Sequence, residues 1–480
     1  MVGAIRKGDT YTTRVEARVV ESADVLVVGG GTAGVTAALA AARAGADTIL
    51  IERSGALGGM MTVGNAGLTN YIVHQKSSSV QREILAELGA DPSGVQIVGG
   101  LPLEITRRLL DGGGAVGTEG TAGSYVFTSP HEFKWLLLDM MQQAGVRLML
   151  HRLAVDVICQ DGCLRGVVTE SKEGRQVVVA SQTVDATGDG DIAAMAGCPF
   201  VLGVGPGDAS AREDGANIGD MSHMGVMYRM GNVDLAKTFG YLADHRDHFG
   251  MQSLALYTFE EVVKRFNMGE MVTFTARGKD LGLQIYNSPQ PGVVTLCCPC
   301  YEGNGLVAAD LTAGELAMRD IIREQIEDIR RLPGFEGSYL IDCPDVCVRE
   351  TRRIQGEYVL RIEDVLAGKQ FDDSIGRGAH TVDAHGVPDE IKRRRVPRNW
   401  YFHIPYRCLV PKGVEDLLVA GRCASYTHEA FGCARPTVQC MVTGEAAGAA
   451  AAMCRAKGVS PRELDPADLC AHLGANGVLL

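Results

Sequence analysis

Apolar residues in this chain follow two alternating patterns: short β-branched runs cut off by glycine, and longer stretches whose apolar positions recur at helical spacing. Val25 to Val28 is a continuous apolar run, as in a strand buried on both faces of a parallel sheet. Glycines follow at once, and Thr32 to Ala44, rich in Ala, Val and Leu, predicts a helix that Gly45 stops. Thr48 to Ile51 predicts a second strand, closed by Glu52. Residues 1–23 form a polar lead-in, with a strand expected at Val15 to Val20.

Further along, Val80, Ile84, Leu85 and Leu88 predict a helix from Ser79 to Gly89, and a shorter helix is expected near Leu103 to Leu110. Ser129 and Pro130 supply a cap and a first-turn proline for a helix whose apolar face runs through Phe133, Leu136, Leu137, Met140 and Met141 to Gly145. Val146 to Leu150 reads as a strand. Ala154 to Cys159, Leu164 to Glu170 and Gln176 to Ala180, separated by glycine-containing turns, predict a three-stranded meander. From Thr183 an apolar strand runs into the small, acidic turn Asp185-Ala-Thr-Gly-Asp-Gly-Asp191, which would bring backbone rather than a second nucleotide. Between 200 and 400, short strands and helices interleave. Val293 to Leu296 and Gly305 to Ala309 look extended, and Thr312 to Arg331 reads as a long helix ended by Pro333-Gly334. Trp400 to Pro411 reads as a strand entering a loop, Leu417 to Ala420 as a buried strand ending in glycine, and Thr437 to Ala456 as a helix of small residues.

Composition narrows the class. At 480 residues the chain exceeds the roughly 250–300 at which single cores stop growing, so two associated domains are expected. An apolar fraction of 46%, a charged fraction of 22% and a net charge of −12 argue for a globular protein and against a nucleic-acid partner. No run approaches the roughly 18 apolar residues of a membrane span, and the N-terminus lacks an apolar core of secretory length. A cytoplasmic protein is expected, with no membrane partner. Fourteen cysteines occur without a second half-site, so no metal is expected. Cys297, Cys298 and Cys300, following an apolar strand, are read as structural filler in preference to a redox dithiol.

The first strand-turn-helix unit carries the chemistry. Gly29, Gly31 and Gly34 fit GxGxxG: the first permits a tight turn, the second lets a pyrophosphate approach the backbone, and the third lets the helix pack on its strand. The helix N-terminus, opening at Thr32 and Ala33, presents unpaired N–H groups to phosphate. Glu52 stands where a carboxylate binds a ribose hydroxyl pair and repels a 2′-phosphate, so FAD or NAD fits and NADP does not. The glycine-rich segment after Arg53, through Gly58, Gly59, Met60 and Thr62, can press its backbone along the same ligand.

These blocks resemble the FAD-dependent oxidoreductases related to the flavoprotein subunits of fumarate reductase and succinate dehydrogenase and to L-aspartate oxidase. The resemblance rests on Asp24 to Arg53, Gly58 to Thr62, Asp185 to Asp191, Arg349-Glu-Thr-Arg-Arg-Ile-Gln-Gly356, and Leu418 to Cys423 with His428, Glu429, Arg435 and the Gly444 helix. It implies FAD as cofactor, with Gly29, Gly31, Gly34, Glu52 and Arg53 on its ADP half and Gly59, Met60 and Thr62 along the pyrophosphate. Thr187, Gly188, Gly421 and Arg422 would complete the cradle, and Val155, Ala186 and Asp189 are counted with it. Arg422 stands where an aspartate is common, and a cation there could pair with phosphate. The implied fold is α/β: a Rossmann-type FAD-binding domain assembled from residues 20–200 and 400–480, including the meander, with a second α+β capping domain over 201–399.

For the chemistry, FAD carries two electrons and the protein must manage one proton. The expected reaction is hydride transfer from a small or medium organic substrate to flavin N5. A flavin-dependent ene-reductase fed by a partner, or an electron-transfer subunit of a heterodisulfide-reductase-like complex, is the alternative. His428 is the first candidate base, with Tyr426 near it, and a structural hydrogen-bond link is its competing role. Arg435 could stabilise negative charge on the reduced flavin or cap its helix. His403 and Tyr401 are second-choice donors. Arg352 and Arg353 could bind an anionic substrate, although a solvated face of paired charges is the preferred reading of that block. The electron acceptor, oxygen or another protein, is open, and so is a homo-oligomer.

Overall fold

The computed structural model describes residues 8–10, 12–64, 73–74, 95–116, 126–245, 263, 266, 272–276, 279–380, 382–392 and 401–480. The helix expected over Ser79 to Gly89 lies outside them. Strand β1 (Arg18–Val28) ends in the fully buried run Val25 to Val28 and leads through the glycine turn into helix α1 (Thr32–Arg43). Strands β2 (Thr48–Ile51), β3 (Arg147–Met149), β4 (Leu153–Gln160), β5 (Cys163–Ser171) and β6 (Gly174–Asp185) follow. The sheet runs β3-β2-β1-β6-β5-β4. Its β3-β2-β1-β6 portion is parallel, while β4, β5 and β6 form the antiparallel meander.

The sequence suggested two segments where the structure has one strand. β6 spans twelve residues: Gly174 to Val179 pair with β5, and Thr183 to Asp185 run past the end of β5 into the parallel part of the sheet. One strand thus serves the meander and the central sheet, because β1 supports it along its whole length from Gln176 to Asp185.

The second sheet is antiparallel. Strands β7 (Met224–Gly231), β8 (Val272–Ala276), β9 (Lys279–Asn287), β10 (Val294–Tyr301) and, after helix α2 (Ala308–Ile329), β11 (Tyr339–Asp342) are ordered β8-β9-β10-β7-β11. Helix α2 buries Met318, Ile322, Ile326 and Ile329 in a core shared with Tyr228, Met230 and Leu296. Gly305 to Ala309, expected to be extended, is instead a turn, closed by the Val307 N–H on the Asn304 carbonyl, that runs into helix at Ala308. The side chain of Asp310 accepts from the Asn304 N–H and draws the chain into helix a turn early.

The chain then returns to the first sheet. Strand β12 (Leu417–Val419) pairs in parallel with Thr183 to Asp185 of β6, and helices α3 (His428–Ala434) and α4 (Thr437–Lys457) follow. The ends of the parallel strands are level: Val28 is opposite both Ile51 and Asp185, and Asp185 is opposite Val419. The glycine turn, Glu52, the Ala186 to Asp191 turn and Gly421 therefore leave the sheet at one edge, where ligands of open parallel sheets bind. No helix among the described residues is long and apolar enough to cross a membrane.

Helix α4 lies almost directly on α1. A Cβ at Gly444 would come within 2.1 Å of the Ala33 carbonyl oxygen, and one at Gly448 within 2.0 Å of that of Ala37. The Thr36 hydroxyl donates to the Met441 carbonyl at 2.8 Å, tying the two backbones together. Gly448→Ala forces apart backbone that cannot yield, and is expected to destabilise by about 3 kcal/mol, the upper end for overpacking. Gly240→Ala, on a helix where an added Cβ meets nothing, is the control and should be neutral or mildly stabilising. Urea denaturation of both variants checks this, and equal stabilities would show that the two helices separate freely.

Candidate active site

The glycine turn is shaped by contacts that exclude side chains. Gly29 has φ +101°, and a Cβ there would lie 2.4 Å from the Ala186 carbonyl oxygen; one at Gly34 would lie 1.7 Å from that of Gly29. Nothing lies within 4 Å of a Cβ placed on Gly31. Open space therefore faces this backbone, and α1 starts there without a side-chain cap or an acid in its first turn. Its N–H groups, from Thr32 and Ala33 onward, are left for an anion. Glu52 is buried, its carboxylate accepting from Gly30 N–H and Ser54 N–H, each at 2.7 Å. These bonds aim the carboxylate across the turn and leave lone pairs for hydroxyl donors. The Gly58 N–H bonds the Gly30 carbonyl at 2.8 Å, so Gly58, Gly59 and Met60 run beside Gly31, and the Thr62 hydroxyl closes the loop on Leu57 O at 2.7 Å. Arg53 is exposed beside them, and Val155 sits half-buried at a bulge of β4.

The second turn is organised by Asp185, which is fully buried and accepts from Thr187 N–H, Thr187 Oγ1 and Ala193 N–H. Burial pushes its pKa up to about 6 against those bonds. The turn brings Asp189 to Arg422 at 2.5 Å, and Thr351 bridges them, donating to Asp189 at 2.7 Å and accepting from Arg422 at 2.8 Å. Burial works to raise the pKa of Asp189, but the Arg422 guanidinium and the Thr351 hydroxyl outweigh it and hold the carboxyl below its ordinary range. Arg422, expected to meet phosphate, is thus already paired within the protein. Gly421, φ +83°, packs on Ala33 and donates its N–H to Thr443 Oγ1 at 3.0 Å.

FAD fits this cradle by two further observations. The first turn of α4 has no side-chain cap, and on it Gln439 is fully buried with neither amide atom partnered among the described residues. The Tyr426 hydroxyl is likewise buried and unpartnered. Buried polar atoms are rarely left so in a completed site.

The expected catalytic residues separate. His428 is fully buried, with Nδ1 2.9 Å from Glu350 Oε1 and Nε2 2.8 Å from the His385 carbonyl. Since Nε2 can meet a carbonyl only as a donor, Nδ1 carries a proton as well when the pair is ionised. Burial acts to lower the pKa of His428, but the hydrogen bond and charge of Glu350 outweigh it, and the net direction is up. Glu350 also meets Arg353, 1% exposed, whose guanidinium continues to Asp208 at 3.0 Å and to the Gly203 and Tyr426 carbonyls. Where a solvated charge face was expected, Glu350 and Arg353 are instead a buried ionic network, with residues 352–354 paired to Phe200–Leu202 and Arg352 half-buried. Arg352 bonds Asp191 at 2.9 Å. Arg435 pairs with Asp383 at 2.6 Å. His403, buried on a short strand, has Nδ1 3.0 Å from Ser374 Oγ and Nε2 unpartnered, and burial lowers its pKa.

Beside the second sheet lie groups to which the sequence assigned no individual role, among them Arg349 and His385. The peptide of His223 holds two of them: its N–H donates to His385 Nδ1 at 3.0 Å, and its carbonyl accepts from Arg349 Nη1 at 2.7 Å. Because Nδ1 accepts, neutral His385 carries its proton on Nε2. Burial, then the charges of Arg349 and His223, lower its pKa to about 4. Around them stand the thiols. Cys300 is opposite Gly225 on β7, Cys297 opposite Met227 across a bulge, and Cys347 opposite Gly225 on its other side. Cross-strand partners share a face, so the three point the same way. Cys300 is exposed and Cys297 and Cys347 half-buried, unlike the buried filler expected. The signal available was the bulged Cys-Cys-Pro-Cys run and three arginines at one block; neither says which residue faces the cleft.

A profile described as FAD dependent oxidoreductase matches residues 24–473. Over 165 residues, 34% of the chain, the sequence is 29% identical to digeranylgeranylglycerophospholipid reductase 1 of Methanopyrus kandleri, and 28% identical to reductase 2 of that organism. The chain's match spans 39% and 37% of the length of these relatives. Among solved structures, a geranylgeranyl bacteriochlorophyll reductase-like protein from Thermoplasma acidophilum is 16% identical, with 95% of this chain and 83% of that one covered and a TM-score of 0.44.

The buried His428–Glu350 pair makes a pH prediction. A histidine whose folded pKa is raised adds stability that is fully present below its unfolded value near 6.5 and lost as pH rises through the folded value. His428→Gln is expected to destabilise by roughly 3 kcal/mol at pH 6, as breaking a buried ion pair does, and by clearly less at pH 9. Urea denaturation of variant and wild type at both values measures the difference, and a gap independent of pH would mean that His428 is neutral when folded.

Proposed function

The chain belongs to the FAD dependent oxidoreductase family, and on that premise we propose that it is a dehydrogenase or oxidase moving a hydride from a small or medium organic substrate to flavin N5. The observation that carries this reading is the segment Cys347 to Thr351, which leaves the second sheet at Gly225 and reaches the cradle where Thr351 bonds Asp189 and Arg422. A substrate lying on that segment lies against the cofactor, in the cleft between elements where sites preferentially form.

Bound FAD supplies the two-electron chemistry. Glu52 and the N–H groups at Gly31 and the start of α1 would hold its ribose and pyrophosphate, with Asp185 fixing the turn that faces them. His385 keeps one proton on Nε2 and is uncharged at neutral pH, so its part is to donate a hydrogen bond rather than to abstract a proton. Tyr426 and His403 each offer a buried polar atom that a ligand could satisfy. In this reading His428 and Arg435 are positioning residues, acting through Glu350 and Asp383. The division into an FAD-binding part, 20–200 and 400–480, and a capping part, 201–399, belongs to the same reading and is supported by the separate core from Met224 to Val346. So do a cytoplasmic location and the likeness to fumarate reductase and L-aspartate oxidase flavoproteins, which rests on the order of the motif blocks. A second reading, reduction of a carbon–carbon double bond with electrons from a partner, is favoured by the relatives named reductases.

Anaerobic mixing of the FAD-loaded protein with candidate substrates tests both. An oxidase or dehydrogenase loses its flavin absorbance on mixing with an alcohol, amine or acid, and regains it with oxygen or an added acceptor. If no such compound bleaches the flavin, and chemically reduced protein is reoxidised only by an alkene, the second reading replaces the first.

A further inference from the structure

We propose that the cavity between α1, α4 and the helices Gly100–Asp111 and Pro466–Ala475 binds a free amino acid with an apolar side chain, its ammonium group on the buried Glu445 carboxylate and its carboxylate at the Arg43 and Arg108 guanidiniums. Arg43 ends α1 at the opposite end from the glycine turn, about 16 Å along the helix from Thr32. The occupant is therefore a second ligand, and the inference does not depend on the reaction proposed above.

The cavity has a volume of about 520 Å³, in the range of small-molecule sites. Leu101, Leu103 and Leu473 supply apolar wall, with Ala40 and Ala449 from the facing helices α1 and α4. Glu445 follows Gly444, one of the two glycines that seat α4 on α1, and is 5% exposed. One of its carboxyl oxygens, Oε2, accepts from the Leu101 N–H at 3.0 Å, while Oε1 has no hydrogen bond among the described residues. Gly100 makes room for the group, since a Cβ there would lie 2.5 Å from Oε2 and 2.7 Å from Oε1. A buried carboxyl with one oxygen unspent thus lines an open volume.

The charges around Glu445 come from three helices. Arg43 of α1 attracts the ionised carboxylate but is bonded to Glu104 at 2.6 Å, and Arg108 bonds the same Glu104 carboxylate at 2.8 Å. Arg107 and Asp111 add one charge of each sign, and His472 closes the rim. Burial dominates at Glu445 and, with the Glu104 charge, pushes its pKa up to about 8 against the Leu101 N–H and Arg43. At neutral pH the carboxyl is therefore mostly protonated. An ammonium group brought against it supplies the missing compensation, so the carboxyl ionises and its proton leaves to solvent. At the rim, two guanidiniums share one carboxylate, and the positive charge in excess matches the carboxylate of the same ligand. A zwitterion satisfies both ends at once, whereas a simple amine leaves the rim unmatched and a simple acid leaves Glu445 protonated.

The test is calorimetric titration of the FAD-loaded protein with L-leucine, against 4-methylpentanoate and 3-methylbutylamine, which lack its amino group and its carboxylate respectively. Leucine should bind at least about tenfold tighter than either, as loss of a charge-assisted pair costs. Titrations at pH 7 in buffers of different ionisation heat should show release approaching one proton per leucine bound, and at pH 9, where Glu445 is already ionised, little release. Glu445→Gln keeps an acceptor for the Leu101 N–H and is as neutral as the protonated acid, so it should fold. It should abolish the proton release and weaken leucine at least about tenfold, with FAD affinity within about twofold. Arg108→Gln, at an exposed position, removes the excess rim charge and should weaken leucine severalfold without weakening 3-methylbutylamine. No leucine binding at millimolar concentration, leucine binding without proton release at pH 7, or unchanged binding in Glu445→Gln overturns the proposal. Protein that fails to retain FAD and still binds leucine would sink the functional reading alone.

Discussion

Everything in this molecule depends on how closely three pieces of backbone approach one another at the end of β1. Gly34 lets α1 sit on the Gly29 carbonyl, and Gly444 and Gly448 let α4 sit on the Ala33 and Ala37 carbonyls. A single methyl at any of these positions would collide with backbone, not with a movable side chain. The consequence is geometric. With α4 pressed on α1, the loop that precedes α4 is brought over the glycine turn, and Gly421 packs on Ala33 itself. The C-terminal part of the chain thus completes a cradle begun some four hundred residues earlier.

The cradle is held open by polar groups, which explains its concentration of buried carboxylates. Glu52 and Asp185 spend their hydrogen bonds on main-chain N–H groups of the two turns, and Asp189 spends its charge on Arg422. Each fixes a loop that would otherwise have only glycine-rich backbone to define it. The cost of burying those charges appears as the raised pKa of Asp185, and the compensation as the lowered pKa of Asp189, where a guanidinium is present.

The sequence made the first sheet legible because its signals are local. A β-branched run, a glycine spacing and a terminal acid within about thirty residues specify β1, α1 and β2 by contacts made inside the unit. The meander and the helix capped by Ser129 were readable for the same reason. What could not be read is set by pairing across long separations. Arg349, Glu350, Arg352 and Arg353 look alike as alternating charges, yet their fates differ: Glu350 and Arg353 are buried with His428, Arg352 bonds a turn 161 residues away, and Arg349 bonds the His223 carbonyl. That sorting is decided by which residues the strands at 200–202 and 224–231 cover, and no periodicity within the block reports it. The thiols follow the same logic, since the bulge between Cys297 and Cys300 turns both toward Arg349's side of the sheet.

Two polar groups meet beside the second sheet, and they differ in how completely their charges are paired. His428, Glu350, Arg353 and Asp208 form a closed set in which every charge has an internal partner, so the set specifies where α3 and the 350s segment sit and has nothing left for a ligand. Arg349 and His385 are held together by the peptide of His223, and the His385 N–H also reaches Ser222 Oγ at 3.3 Å. The closed network contacts them through the His428 Nε2 bond to the His385 carbonyl and through Ser222, whose N–H donates to Glu350 and whose hydroxyl accepts from the His385 N–H. These bonds fix the backbone of His385 while its ring is fixed by His223, so its orientation rests on a buried core. A substitution in the closed set therefore reaches His385 through its backbone, by way of His428 and Ser222.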